Sequence, residues 1–228
     1  MLGGFFDQNK KRRRLLQKAP DGPLKSYLEQ PFPNGKIPLD QVCLLALDFE
    51  TTGLDAKQDH LLSVGYVQLR GNRVLLNTAG HQIIHSRQEM SERNIGLHRI
   101  THDQVAQGRN LPVVVENILQ QLQGKVLLAH HAAVEIGFLQ QACRKLYGMA
   151  PVIPAVDTLR LAKQRFERRQ QPYKSNDLRL FNLRAQYGLP AYRAHNALMD
   201  AIATAELFLA QLAYGDYKKS PPLKNFLL

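Results

Sequence analysis

Residues 43–55 read Cys43-Leu-Leu-Ala-Leu-Asp-Phe-Glu-Thr-Thr-Gly-Leu-Asp55. The run from Val42 to Phe49 is almost unbroken apolar sequence, the pattern of a strand covered on both faces in an α/β sheet. Asp48 and Glu50 stand two residues apart where that run stops, so on a strand both side chains leave the same face. Two ionised acids at the end of a buried strand repel each other and resist losing water. The arrangement asks for positive charge from elsewhere.

Outward from this strand the pattern stays α/β. Leu61 to Leu69 and Arg73 to Thr78 flank Arg70-Gly-Asn72, a hairpin signal, so three strands come first. Thr101-His-Asp-Gln104 offers a capping box for a short helix. Leu111 to Gln123 reads as a helix stopped by Gly124, and Val126 to Ala129 as a short strand. Ala132 to Tyr147 predicts a helix closed by Gly148. Val152 to Val156 reads as a last strand, with helices over Thr158 to Arg168, Asp177 to Tyr187 and Asn196 to Tyr214. A strand meander followed by β/α units and a helical end implies one mixed sheet flanked by helices.

At 228 residues the chain has room for one well-cored domain with extensions. We place that domain at residues 41–215, with a basic, Pro-containing N-terminal arm at 1–40 and a tail at 216–228. The arm carries Lys10-Lys-Arg-Arg-Arg14 and five prolines with little periodicity, so an irregular or partly ordered segment is expected, its basic cluster solvated, touching phosphates or, as a third option, a nuclear localisation signal. The tail is expected to fray.

The 30 Lys+Arg against 19 Asp+Glu give a formal net charge of +11, which favours polyanionic partners. Only two cysteines are present, both in apolar runs, which argues against a disulfide framework and for a reducing, cytoplasmic setting. No segment approaches the ~18 apolar residues of a membrane span, so no membrane association is expected.

Further acids fall inside apolar helical surroundings. Glu135 lies in Leu127-Leu-Ala-His-His-Ala-Ala-Val-Glu-Ile-Gly-Phe-Leu-Gln140, and Asp200 has Ala and Leu one turn away. Hard divalent cations, Mg²⁺ or Mn²⁺, held by a few carboxylates would satisfy such acids and keep positions open for water and phosphate. No Cys/His arrangement with zinc spacing competes.

Asp48-Phe-Glu-Thr-Thr-Gly-Leu54, His130-His-Ala-Ala-Val-Glu-Ile-Gly-Phe-Leu139 and His195-Asn-Ala-Leu-Met-Asp200 resemble, in order, the three motifs of the 3′→5′ exonucleases named for their Asp-Glu-Asp-Asp acids. The likeness is to the His-containing branch, which includes the proofreading epsilon subunits of bacterial DNA polymerase III. Ile100-Thr101, Asp157-Thr-Leu159 and the stretch from Asn182 to Pro190 are smaller landmarks of the same pattern, which covers roughly residues 42 to 212.

The resemblance implies a ribonuclease-H-like fold and hydrolysis of a terminal phosphodiester with two divalent metal ions. By carry-over, Asp48 bridges both metals, Glu50 and Asp200 hold the one that activates water, and Glu135 is the fourth acid. His195 takes the proton from the attacking water. Thr51, Thr52, Gly53 and Leu54 receive the terminal nucleotide. Where the family carries Asn and, four residues later, Asp, this chain has His131 and Glu135.

The expected partner is nucleic acid with a free 3′ end, DNA before RNA. As no polymerase domain accompanies the motifs, proofreading or DNA repair would need a separate polymerase or other repair partner. The competing readings are a catalytically impaired nucleic-acid-binding or polymerase-associated interaction module, and an unrelated acidic metal protein.

Overall fold

Strand β1 (Cys43–Thr51) occupies the centre of a five-stranded sheet whose other members are β2 (Leu61–Arg70), β3 (Arg73–Ile83), β4 (Val126–Ala129) and β5 (Ala155–Asp157). The structure is a computed structural model that describes residues 4–86, 100–215, 217 and 219–228. The strand order is β3-β2-β1-β4-β5, antiparallel across the first three and parallel from β1 to β4 to β5. This is the mixed sheet flanked by helices that the sequence pattern implies.

Alternation along β1 sorts its side chains. Leu45, Leu47 and Phe49 pack with Val115 and Ile118 of helix α4 (Leu111–Leu122) and Phe138 of α5 (Ala133–Tyr147). Leu44 and Ala46 pack on the opposite face with Ala205 and Phe208 of α8 (Ala197–Ala213). Asp48 and Glu50 continue this second row, so the strand's period of two aims both acids at α8. The parallel ladder from β1 to β4 covers only Leu44 to Ala46, and β1 runs on past it to Thr51. A crevice therefore opens beside the carboxyl end of β1, where ligands of α/β sheets commonly bind.

Outside α8, helices α6 (Thr158–Arg168) and α7 (Leu180–Gln186) form a further layer through Ala162, Phe166, Leu183 and Leu207. The capping box expected at Thr101 is present and starts α3 (His102–Ala106). Gly148 closes α5 in the left-handed conformation at φ 74°. The helix expected over 177–187 is broken. Ser175–Leu178 forms a 3-10 turn, Arg179 is extended, and the Leu178 carbonyl is held at 2.9 Å by His130 Nε2. Strand β5 begins at Ala155 rather than Val152, because Pro151 and Pro154 offer no N–H to a ladder.

The arm and the tail both depart from the sequence expectation. The arm folds into α1 (Gly4–Leu16) and α2 (Pro23–Glu29), and Leu24, Tyr27, Leu28 and Phe32 join the core on the α4 and α5 face. Tyr27 Oη donates to the Val152 carbonyl at 2.9 Å. Arg12, inside the basic cluster, is buried. It donates to the Leu28 carbonyl and, at 3.2 Å, to that of Glu29, covering the open carbonyl end of α2. Lys10, Lys11, Arg13 and Arg14 stay exposed.

The tail buries Leu223, Phe226 and Leu227, and Leu227 bridges to Val156 at the free edge of β5. Pairing covers an edge that would otherwise expose open backbone groups. No helix among the described residues is long and apolar enough to cross a membrane.

Candidate active site

The site is built from the ends of β1, β4 and β5 and the starts of α5 and α8. Asp48, Glu50 and Asp200 each offer a carboxylate oxygen, and these oxygens lie within 4.8 Å of one another. Asp48 comes from β1 and Asp200 from the first turn of α8, so the approach of that helix to the sheet sets their spacing. Gly65 of β2 makes this approach available. It pairs with Asp48, and a Cβ on it would stand 2.1 Å from the carbonyl carbon of Ala197 and the nitrogen of Leu198. A glycine inside a strand pattern is a signal of close backbone approach, and Gly65 is the residue here that carries it.

Glu135 lies on α5, 4% exposed, with Oε2 without a hydrogen-bond partner among the described residues. Burial pushes its carboxyl up to about 8. The leading influences on Asp48 all act in one direction, burial first and then Glu135, Asp200 and Glu50, holding its carboxyl well above the usual range. Asp48 itself is only partly buried, and so keeps contact with the crevice. Like charges gathered where water is scarce bind protons or cations. Oxygen-only donors, a three-acid cluster and an orphaned buried carboxylate oxygen fit a hard divalent cation.

Asp157, at the end of β5, organises the second acidic element. Its carboxylate accepts from the His131 and Ala132 main-chain N–H groups at 2.9 and 3.2 Å and caps α6 through Leu159 N at 2.9 Å. It thereby fixes the turn leading into Glu135. His131 sits in that turn at φ 72°, exposed. The preceding His130 donates from Nε2 to Leu178, leaving Nδ1 to accept from the Thr158 hydroxyl at 2.8 Å. Burial lowers its ring to about 4 and keeps it neutral. These are bonds of a structural histidine.

His195 lies on the loop entering α8, exposed, at φ 65°. Its main-chain N–H donates to Asp200 Oδ2 at 3.0 Å, and Asn196 caps the helix through Met199 N at 3.1 Å. A left-handed non-glycine residue is a local strain that persists only where its surroundings hold it. Here it folds the loop back onto the carboxylate.

After Glu50 the strand register shifts and the Thr51-Thr-Gly-Leu54 turn begins. Thr51 Oγ1 donates to the Gly53 carbonyl at 2.6 Å. Asp59 pins the turn: Oδ1 accepts from the Thr52 hydroxyl at 3.1 Å and Oδ2 from Asp55 N at 2.8 Å. A Cβ on Gly53 would lie 2.5 Å from that carboxylate. Leu54, at the end of this turn, stands 77% exposed. The sequence points to the turn but not to Asp59, a loop acid that nothing in the local pattern distinguishes.

Comparison with known proteins adds an independent line. A family profile described as Exonuclease (RNase_T) matches residues 45–208. A DNA polymerase III PolC-type protein of Thermotoga maritima is 32% identical over 165 residues, which is 72% of this chain and 11% of that protein. The chain thus corresponds to a small part of this much longer relative. The DNA polymerase III subunit epsilon of Treponema pallidum is 25% identical over 82% of this chain and 88% of its own length. Among solved structures, the nuclease domain of 3′hExo, described as a DEDDh family member bound to rAMP, superposes with a TM-score of 0.65 over 77% of this chain and 94% of that one. At 17% identity, that likeness speaks to the ribonuclease-H-like fold alone.

Proposed function

The chain belongs to the exonuclease (RNase_T) family, and from that premise we propose that residues 41–215 form a metal-dependent 3′→5′ exonuclease unit. It hydrolyses terminal phosphodiesters of nucleic acid, DNA in preference to RNA, to nucleoside 5′-monophosphates. The observation that carries the reading is the convergence of Asp48, Glu50 and Asp200 within 4.8 Å, with buried Glu135 acting on Asp48.

Asp48, Glu50, Glu135 and Asp200 would hold two divalent cations, Mg²⁺ or Mn²⁺. When bound, such ions supply positive charge at the phosphate and acidify the attacking water. The chain's own part is positioning and proton handling. Thr51, Thr52, Gly53 and Leu54 seat the terminal nucleotide, with main-chain amides toward the 3′-hydroxyl and the exposed Leu54 side chain against the base. Gly53 keeps that surface low enough for close approach. His195, on the exposed loop that enters α8, takes the proton from the attacking water, a general-base task that suits an imidazole. The names of the two polymerase III relatives favour DNA and a polymerase partner, and the two free cysteines favour a reducing, cytoplasmic setting.

A second reading draws on His131 and Glu135, which stand where the family has Asn and Asp. It makes the chain an impaired nucleic-acid-binding or polymerase-associated module. One experiment separates the two: end-labelled single-stranded DNA, duplex DNA and RNA are incubated with Mg²⁺, Mn²⁺ or chelator, beside Asp48→Ala and Glu135→Ala. The exonuclease reading expects release from the 3′ end, abolished by chelator and reduced at least ~10³-fold by Asp48→Ala. Binding without release would establish the module instead. Full turnover by Glu135→Ala would remove Glu135 from the site.

A further inference from the structure

At the end of α8 remote from the acids lies a second concave surface. Helices α6 and α7 and the end of α8 enclose a cavity of about 430 Å³ lined by Arg165, Arg169, Tyr187 and Tyr214. It runs into a neighbouring hollow of about 220 Å³ that shares these four residues and adds Arg168. None of the acids of the candidate active site lines either hollow.

Its chemistry is cationic and aromatic. The Arg165 guanidinium lies 5.0 Å from the centre of the Tyr187 ring and 5.4 Å from that of Tyr214, and it also donates to the Tyr187 hydroxyl. The two rings meet edge to face at 5.1 Å. Arg165 thus braces both tyrosines, while Tyr214 keeps 57% of its surface open. Arg168 and Arg169 are exposed alongside. From Thr158 to Lys174 the chain carries six Lys/Arg against one acid, Glu167. Asp177 also lines the cavity, and its carboxylate accepts from the Lys174 main-chain N–H at 2.8 Å. The helix dipole favours basic side chains in the last turn of α6, yet it accounts for neither the braced tyrosines nor the hollow.

We propose that this groove holds the single-stranded part of a DNA substrate upstream of the 3′ end, a role that rests on the exonuclease reading of the acids. Arginines take phosphates without regard to sequence, and an open tyrosine offers a stacking face to any base. Helices α6 and α8 both lead from the site to the groove, since Asp157, which fixes the turn into Glu135, caps α6, and Asp200 lies in the first turn of α8. Tyr214, the cap of α8, follows Asp200 by fourteen positions, about 21 Å at the helical rise. That is about six nucleotides at the ~3.4 Å spacing of a stacked strand. The groove therefore engages strands longer than that and leaves shorter ones to the site alone.

The test is equilibrium binding by fluorescence anisotropy in chelator, so that nothing is cut, with labelled 20- and 4-nucleotide oligothymidylates and the full chain. Arg168→Glu combined with Arg169→Glu is expected to lower the ratio of 20-mer to 4-mer affinity about tenfold. The salt dependence of 20-mer binding should also fall by more than one unit of log–log slope, as ~0.7 per lost phosphate contact implies. Tyr214→Ala should lower the ratio severalfold with the slope unchanged. An unchanged ratio in the charge-reversed variant overturns the inference, as does an absence of 20-mer binding by the unaltered chain at low salt. A loss confined to 20-nucleotide oligouridylate overturns the assignment to DNA. Because binding is read without turnover, a chain that needs the groove yet never releases nucleotides would sink the exonuclease reading alone.

Discussion

Asp200 and Glu206 lie six residues apart on one helix, in opposite electrostatic company. Glu206 Oε2 meets Arg184 Nη2 at 2.8 Å, and its Oε1 accepts from the Tyr192 hydroxyl at 2.9 Å. Arg184 is 1% exposed, donates to the carbonyls of Ala203 and Pro190 at 2.7 and 3.0 Å, and sits 4.5 Å from the centre of the Tyr192 ring. Asp200 instead joins Asp48 and Glu50, and Asp48 is pushed upward by every acid around it. The acid that serves the fold is matched by a cation of the same chain. The acids of the candidate site are gathered with their own kind, and their neighbours hold the Asp48 carboxyl up.

The matched end is the easier to break. Arg184→Ala empties a fully buried position and leaves two main-chain carbonyls and the partly exposed Glu206 carboxylate without their donor, which should cost about 3–5 kcal/mol. That corresponds to a melting temperature lower by about 10 °C in a calorimetric scan. Replacing the pair together, as Arg184→Met with Glu206→Leu, should recover most of the loss. If Arg184→Ala melts like the unaltered chain, the contrast between the two ends fails.

Gly65→Ala strikes the other end. The added methyl meets the Ala197 and Leu198 backbone, so the start of α8 must move away from β1. Overpacking of this kind costs about 1–3 kcal/mol. Nucleotide release should fall more steeply than stability, since the displacement separates Asp200 from Asp48. Unchanged kinetics would show that helix approach does not set the acid spacing.

The smallest effect is a pH-dependent one at Glu135. Its carboxyl is raised in the fold to about 8, so its protonated form is favoured there. Stability from this group is fully present below its ordinary range near ~4.5 and is lost as the pH rises through about 8. Metal-free Glu135→Gln should therefore melt about 5 °C above the unaltered chain at pH 8.5 and level with it at pH 4.5. Added Mg²⁺ should close the gap at high pH. A constant difference across that range would remove buried charge as its cause.

How much of this was legible in advance follows from the range of each signal. The Val42 to Phe49 run, the hairpin at Gly71, the Thr101 capping box and the Gly148 stop are short-range features, and they mark real elements. Asp48 and Glu50 could be placed together because a strand's period of two needs no partner to operate. Gly65 was legible and overlooked. Asp59 and Arg184 were not, because neither a polar loop acid nor a basic residue on a short helix differs in sequence from its solvated counterparts.

The arm shows the same limit from the other side. Its prolines and charges carry no period, yet Tyr27 and Leu28 are fully buried because α4 and α5 present an apolar face to them. Likewise Leu227 becomes core where β5 leaves an open edge, and Leu223 where the Ile37 carbonyl of the arm accepts its main-chain N–H. Strand β1, the β2–β3 hairpin and the helix ends marked by a cap or a glycine follow from the sequence alone, since these depend on neighbours within a few residues. The tertiary structure decided which charges are matched, how close α8 comes to β1, and that both chain ends are packed. Burial and Coulomb energy depend on distances between residues far apart in the chain.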